Sequence, residues 1–134
     1  MATVIRRKDK RLQLIADLVV STNRISKAID FENAWLKIKD GIITVKAPFD
    51  WNGCTWSRDG KCDADGVPYS WIASCLHDAL CVAKIPGVSI NDKNLIFYDE
   101  LCKIHFKWLG VPACTAYYLG VTLSTPYIKT REVN

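Results

Sequence analysis

The dipeptide Asp40-Gly41 lies between Trp35-Leu-Lys-Ile-Lys39 and Ile42-Ile-Thr-Val-Lys46, and no other feature of the chain limits its fold so tightly. Both flanks largely alternate apolar and polar residues, the period of a strand with one buried face. Asp-Gly readily takes the positive φ angles of a type I′ turn, whose twist matches that of the strands it joins. A hairpin is therefore predicted, and its two-residue turn sets the register. Leu36, Ile38, Ile43 and Val45 then share the face that rests on a core. Lys37, Lys39, Thr44 and Lys46 share the wetter face with Trp35 and Ile42. Residues 12–20 read as a strand pair, from the Leu12/Leu14 alternation and β-branched Val19-Val20, although Leu14, Ile15 and Leu18 also fit one helix face.

Pro48 supplies no ladder donor and should end the hairpin. Residues 49–68 follow with three glycines, one proline and four aspartates, and read as a long irregular loop of the kind that usually carries function. Asp59, Asp63 and Asp65 superficially resemble a calcium loop, but the twelve-residue frame and its terminal glutamate are absent. Beyond Pro68 the pattern turns helical. A buried helix is expected over 69–83, closed by Ile85-Pro86-Gly87. A second, with an N-cap among residues 89–92, is expected over 92–109, with Leu95, Ile96, Leu101, Ile104, Trp108 and Leu109 on its apolar stripe and Gly110 and Pro112 at its end. A third is expected over 113–123, before an extended tail at 125–134. The sum is one α+β domain over residues 1–134, an N-terminal antiparallel sheet packed on two or three C-terminal helices.

Composition narrows the setting. No run approaches the roughly 18 apolar residues of a membrane span. The N-terminus lacks the apolar stretch and small-residue site of a secretion signal, so secretion by a signal peptide is not expected. The net charge is +4, and its main cluster is Arg6-Arg7-Lys8, Lys10 and Arg11. Without interleaved aromatic residues that cluster (residues 1–11) reads as a solvated basic arm and not as a nucleic-acid site. Of six cysteines, Cys75, Cys81, Cys102 and Cys114 lie in apolar settings that suit buried thiols. Cys54 and Cys62 are the pair expected if any bridge forms.

The chemically informative pair is His77-Asp78, inside the apolar run Tyr69-Ser-Trp-Ile-Ala-Ser-Cys-Leu-His-Asp-Ala-Leu-Cys-Val-Ala83. A titratable group in such a run must be hydrogen-bonded or paired. Consecutive helical residues point about 100° apart, so Asp78 cannot orient the imidazole by adjacency alone. Each needs a partner from elsewhere, and Asp50, Asn94 and Asp99 are the candidates. With such a partner His77 and Asp78 could activate water, giving a small hydrolase with Asp50 as third member. Alternatively, His77 and Cys81 are four apart on one helix, and Cys102 and His105 three apart on the next. Those four side chains make a nitrogen-and-sulfur set that zinc accepts. In the third reading His77 and Asp78 only satisfy backbone groups of the loop.

The order of motifs adds a resemblance. A hairpin runs into Ala47-Pro-Phe-Asp-Trp-Asn-Gly-Cys-Thr-Trp56. Ala73-x-x-x-His-Asp-x-Leu80 follows, then Asn94-Leu-Ile-Phe97, Gly110-Val-Pro112 and a tyrosine-rich segment ending at Gly120. Over residues 42–120 this order resembles domain-of-unknown-function family 1353, small proteins frequent in tailed bacteriophages and prophages. The resemblance implies that His77, Asp78 and Asn52-Gly53 belong to a polar centre. It also implies a virion-associated tail or head-tail accessory protein, located in the virion or the host cytoplasm, whose partners are other phage structural proteins. Two departures stand out. Asn94 occupies the position of the family's second-helix aspartate, and the turn reads Phe-Asp-Trp-Asn-Gly-Cys-Thr. Losing that carboxylate weakens any metal or acid–base centre.

Overall fold

Asp40 and Gly41 both have positive φ, 53° and 75°, and they join β5 (Leu36–Lys39) to β6 (Ile42–Val45) as the sequence pattern requires. These come from a computed structural model, which describes residues 4–6, 11–52, 69–102, 107–108 and 111–112. The hairpin register pairs Leu36 with Val45 and Ile38 with Ile43, and all four side chains are fully buried. Lys37 and Lys39 face solvent. A side chain at Gly41 would lie 3.1 Å from the Thr22 carbonyl oxygen, so close approach as well as positive φ calls for glycine.

Residues 12–20 form the expected strand pair, β2 (Leu12–Leu14) and β3 (Leu18–Ser21). β3 pairs with β6, and β2 pairs with β7 (Asp50–Trp51), both antiparallel. Leu12 faces Trp51 and Leu18 faces Val45, so one register runs through the break at residues 15–17. The two sheets are thus halves of one bent ribbon. β1 (Val4–Arg6) lies on the outer side of β2, and β4 (Phe31–Glu32) on the outer side of β5. The resulting orders are β1-β2-β7 and β3-β6-β5-β4.

Two expectations change here. The stretch expected as a basic arm contributes Val4–Arg6 to a strand, and Arg11 pairs with Asp50. The stretch expected to be loop from residue 49 onward begins with the strand Asp50–Trp51. The alternation Phe49, Asp50, Trp51 shows why: Phe49 and Trp51 are buried, and Asp50 between them is not. The remainder of that stretch, from residue 53 to residue 68, lies outside the described residues, as do Cys54, Cys62 and Cys114.

The first helix, α1 (Tyr69–Cys81), covers the inner face of the ribbon, and α2 (Ile90–Leu101) packs on α1. α2 starts with a full capping box. The Asp92 amide donates to Ser89 Oγ at 3.0 Å, and the Ser89 amide donates back to Asp92 Oδ2 at 3.1 Å. It ends at Leu101, eight residues short of the expected end, with Cys102 as C-cap. Lys107–Trp108 (β8) instead pairs antiparallel with Val111–Pro112 (β9), a second hairpin where a helix was expected. The helix expected at 113–123 and the tail at 125–134 lie outside the described residues. The architecture is α+β, with antiparallel sheets in the N-terminal part and helices in the C-terminal part.

Candidate functional site

Two tryptophans fasten the ribbon to α1. Trp51 is almost wholly buried, and its indole N–H donates to Ser74 Oγ at 3.0 Å; that hydroxyl in turn donates to the Trp71 carbonyl at 3.0 Å. Trp35 stacks on Phe49, which stacks on Trp51, and the Trp35 N–H donates to the Ala79 carbonyl at 3.1 Å. Trp35 was expected on the wetter face with Lys37. It precedes β5, where the chain bends at Asn33, and so escapes the strand alternation. Asn33 Oδ1 accepts from the amides of Trp35 and Leu36 at 2.9 and 2.8 Å, which sets that bend. The docking fixes which face of α1 looks away from the sheet, and His77 lies there.

His77 is 4% exposed, in the interface between the helices. Its Nε2–H donates to Asn94 Oδ1 at 2.8 Å, since an amide oxygen only accepts. The ring packs against Phe97 with centroids 4.9 Å apart, and Cys81 Sγ lies 3.3 Å from the same nitrogen. Burial pushes the imidazole pKa below its ordinary value; the Asn94 bond opposes this, and nearby Lys93 adds to it. The histidine is therefore neutral at pH 7. Burial also raises the Cys75 thiol and pushes Cys81 up to about 12. Both are free, protonated thiols, poor nucleophiles and poor metal ligands, which require the thiolate.

Lys93 is a further buried polar group of this interface. Its ammonium donates to the Ala83 carbonyl at 3.1 Å, just beyond the C-terminus of α1, where the helix dipole favours a cation. Burial lowers its pKa. No local pattern flags this side chain, because a lysine in the first turns of a helix reads as solvated.

The residues singled out by sequence separate as follows. His77 finds its partner in Asn94, one of the three candidates. Asp99 instead forms a two-pronged pair with Arg24, at 2.9 Å for both contacts. Asp50 accepts from Arg11 Nε at 2.6 Å, while Arg11 Nη1 donates to Asn52 Oδ1 at 2.5 Å. Neighbouring strand residues point to opposite faces, so Asp50 points away from α1 while Trp51 points toward it. The structure does not bring Asp50 to His77. Asp78 is half-buried, and the imidazole's hydrogen bonds among the described residues go to Asn94 and Cys81.

Of the nitrogen-and-sulfur set, His77 and Cys81 do share a face. Cys102 follows Asn94 by eight residues, about 12 Å along α2 at 1.5 Å per residue, and so lies well beyond the level of His77. His105 lies outside the described residues. Among those described, no group of three or more His, Cys, Asp or Glu side chains could hold a metal. No described helix is long and apolar enough to cross a membrane.

Fold and site together define a small α+β domain whose buried histidine joins two helices. No family model, curated protein or solved structure matches the chain.

Proposed function

We propose that this protein works by contact with other proteins, as a virion-associated accessory protein of a tailed bacteriophage, and that His77 is a structural tie within it. The observation that supports the contact reading is the setting of His77. Its imidazole is buried, neutral and bonded to an uncharged amide, in place of the carboxylate that would raise its basicity. The chemistry that made the His-Asp pair attractive is thereby spent inside the helix interface. What the described surface offers instead is exposed apolar side chains on the outer face of the ribbon, Val19 and Ile42 among them. The phage setting rests on the order of motifs from the hairpin to Gly120.

Gradient-purified particles of the phage or induced prophage that encodes the chain provide the test. Quantitative mass spectrometry should find the protein at a fixed number of copies per particle. Its absence from intact particles, with abundant protein in the lysate, would remove the virion reading. A folded His77→Leu variant should still be incorporated, because the tie does not reach the surface.

A further inference from the structure

The outer face of the β3-β6-β5-β4 sheet carries cations that the described residues do not answer. In one row Val19 of β3 faces Thr44 of β6, which faces Lys37 of β5. In the next row Ser21 faces Ile42, which faces Lys39. Residues two apart on a strand share a face, so Lys37 and Lys39 stand side by side with their backbones about 7 Å apart. Lys37, Lys39, Asp40, Ile42 and Thr44 line a groove of about 230 Å³ there. That is less than the roughly 300–1,000 Å³ of small-molecule sites, and it suits the side chains of a docked protein segment. The described ion pairs join Arg11 to Asp50, Arg24 to Asp99 and Lys46 to Glu32, and neither Lys37 nor Lys39 belongs to one. Glu32 lies across from Lys37, but its carboxylate closes on the Lys46 ammonium at 2.5 Å. Asp40 is the acid of the groove lining, and it lies at the turn, beyond Lys39. Val19 and Ile42, diagonal neighbours in the ladder, are 60% and 43% exposed, so apolar surface adjoins the two ammonium groups.

We propose that this face docks the protein's partner, and that the partner's docking segment is acidic, an extended stretch alternating carboxylate and apolar side chains. The inference rests on the contact reading above and adds to it the face used and the chemistry of the partner. A carboxylate lies between the Lys37 and Lys39 ammonium groups, with the Thr44 hydroxyl as a further donor. An apolar side chain beside it covers Ile42 and Val19. Asp40 sets the direction, because it repels a second acid at the turn and so keeps the acidic side chains toward Lys37. The charges fix the register, and the apolar area removed from water supplies affinity. Nucleic acid fits this face less well. Two lysines release the counterions of only about two phosphates, and no arginine or aromatic side chain lines the groove to stack on a base.

NMR titration of the isotope-labelled full chain with a synthetic peptide alternating glutamate and valine tests this. Amide shifts should saturate and be confined to β3, β6 and β5, and the matching lysine–valine peptide should cause none. Lys37→Glu together with Lys39→Glu turns attraction into repulsion at two positions and should weaken binding at least about tenfold. Should that variant fail to fold, Lys37→Gln with Lys39→Gln carries the same direction. Lys84→Glu, exposed on the connection between the helices, should leave binding unchanged. The absence of saturable shifts on this face overturns the proposal, and so does an equal loss with Lys84→Glu. Tighter binding of duplex DNA than of the peptide at physiological salt overturns it too, as does self-association of the chain that the charge reversal dissolves. In purified particles the charge-reversed chain should be lost while wild type and Lys84→Glu are retained. Retention of the reversed chain at the wild-type copy number overturns the docking face and leaves the virion reading standing. Wild type absent from particles removes the virion reading, and the titration then decides the face by itself.

Discussion

Acidification should destabilise this protein through His77, and comparison with His77→Leu isolates the effect. Burial holds the folded-state pKa of His77 below the ordinary 6.5. As pH falls below 6.5 the unfolded chain takes up a proton that the folded chain refuses. The unfolded state then binds more protons, so stability falls with falling pH. The contribution is fully present above the unfolded-state pKa and is lost as pH descends toward the folded-state one. Its limiting slope is about 1.4 kcal/mol per pH unit. At pH 7.5, His77→Leu removes the 2.8 Å bond to Asn94 and should cost about 1–3 kcal/mol. Below pH 6.5 wild type should lose stability relative to the variant, by no more than that limiting slope. The gap between them closes as the solution becomes acid. Urea unfolding at several pH values reads both quantities. Carboxylates and the second histidine, His105, are common to both proteins and cancel in the difference. Parallel pH profiles, or a gap that widens in acid, would refute a buried neutral histidine and point to one held charged by a carboxylate.

Asn94→Leu should destabilise by about 1–3 kcal/mol in the same assay, and pairing it with His77→Leu should cost less than the sum of the two. Additive costs would mean that the side chains do not act together. Gly41→Ala meets a positive φ and the Thr22 carbonyl at 3.1 Å, and should lower the unfolding midpoint by at least the equivalent of about 1 kcal/mol. Trp51→Phe loses the bond to Ser74 and leaves a small cavity at a buried site, for an expected loss of at least about 1 kcal/mol in chemical denaturation. Arg24→Ala breaks a pair whose members are about 40% exposed, and a thermal melt should move little, within the equivalent of about 1 kcal/mol.

The legible parts of this chain were those governed by short-range rules. Asp40-Gly41 and its alternating flanks determined a hairpin, its register and its buried face, because turn geometry and a period of two leave one solution. The strand pair at residues 12–20, α1, and a cap among residues 89–92 follow from equally local signals; the structure puts that cap at Ser89. The errors share a physical origin. Asp50–Trp51 opens a stretch whose three glycines, proline and four aspartates read as loop, yet pairing with β2 makes it a strand. α2 stops at Leu101 although the apolar stripe continues, since Lys107–Trp108 finds a ladder partner in Val111–Pro112. A strand partner outweighed helix or loop propensity in both places, a distant one for Asp50–Trp51 and one only three to five residues away for Lys107–Trp108.

The His-Asp pair divides the same way. Sequence determined that His77 lies in an apolar helix, that it needs a partner, and that Asp78 cannot serve by adjacency. Only the tertiary structure decided among Asp50, Asn94 and Asp99. That choice depends on which face of α1 the Trp35 and Trp51 hydrogen bonds turn toward the ribbon, and so on contacts 23 and 44 residues apart in the chain. Local periodicity says that a face is apolar; it does not say what that face will meet.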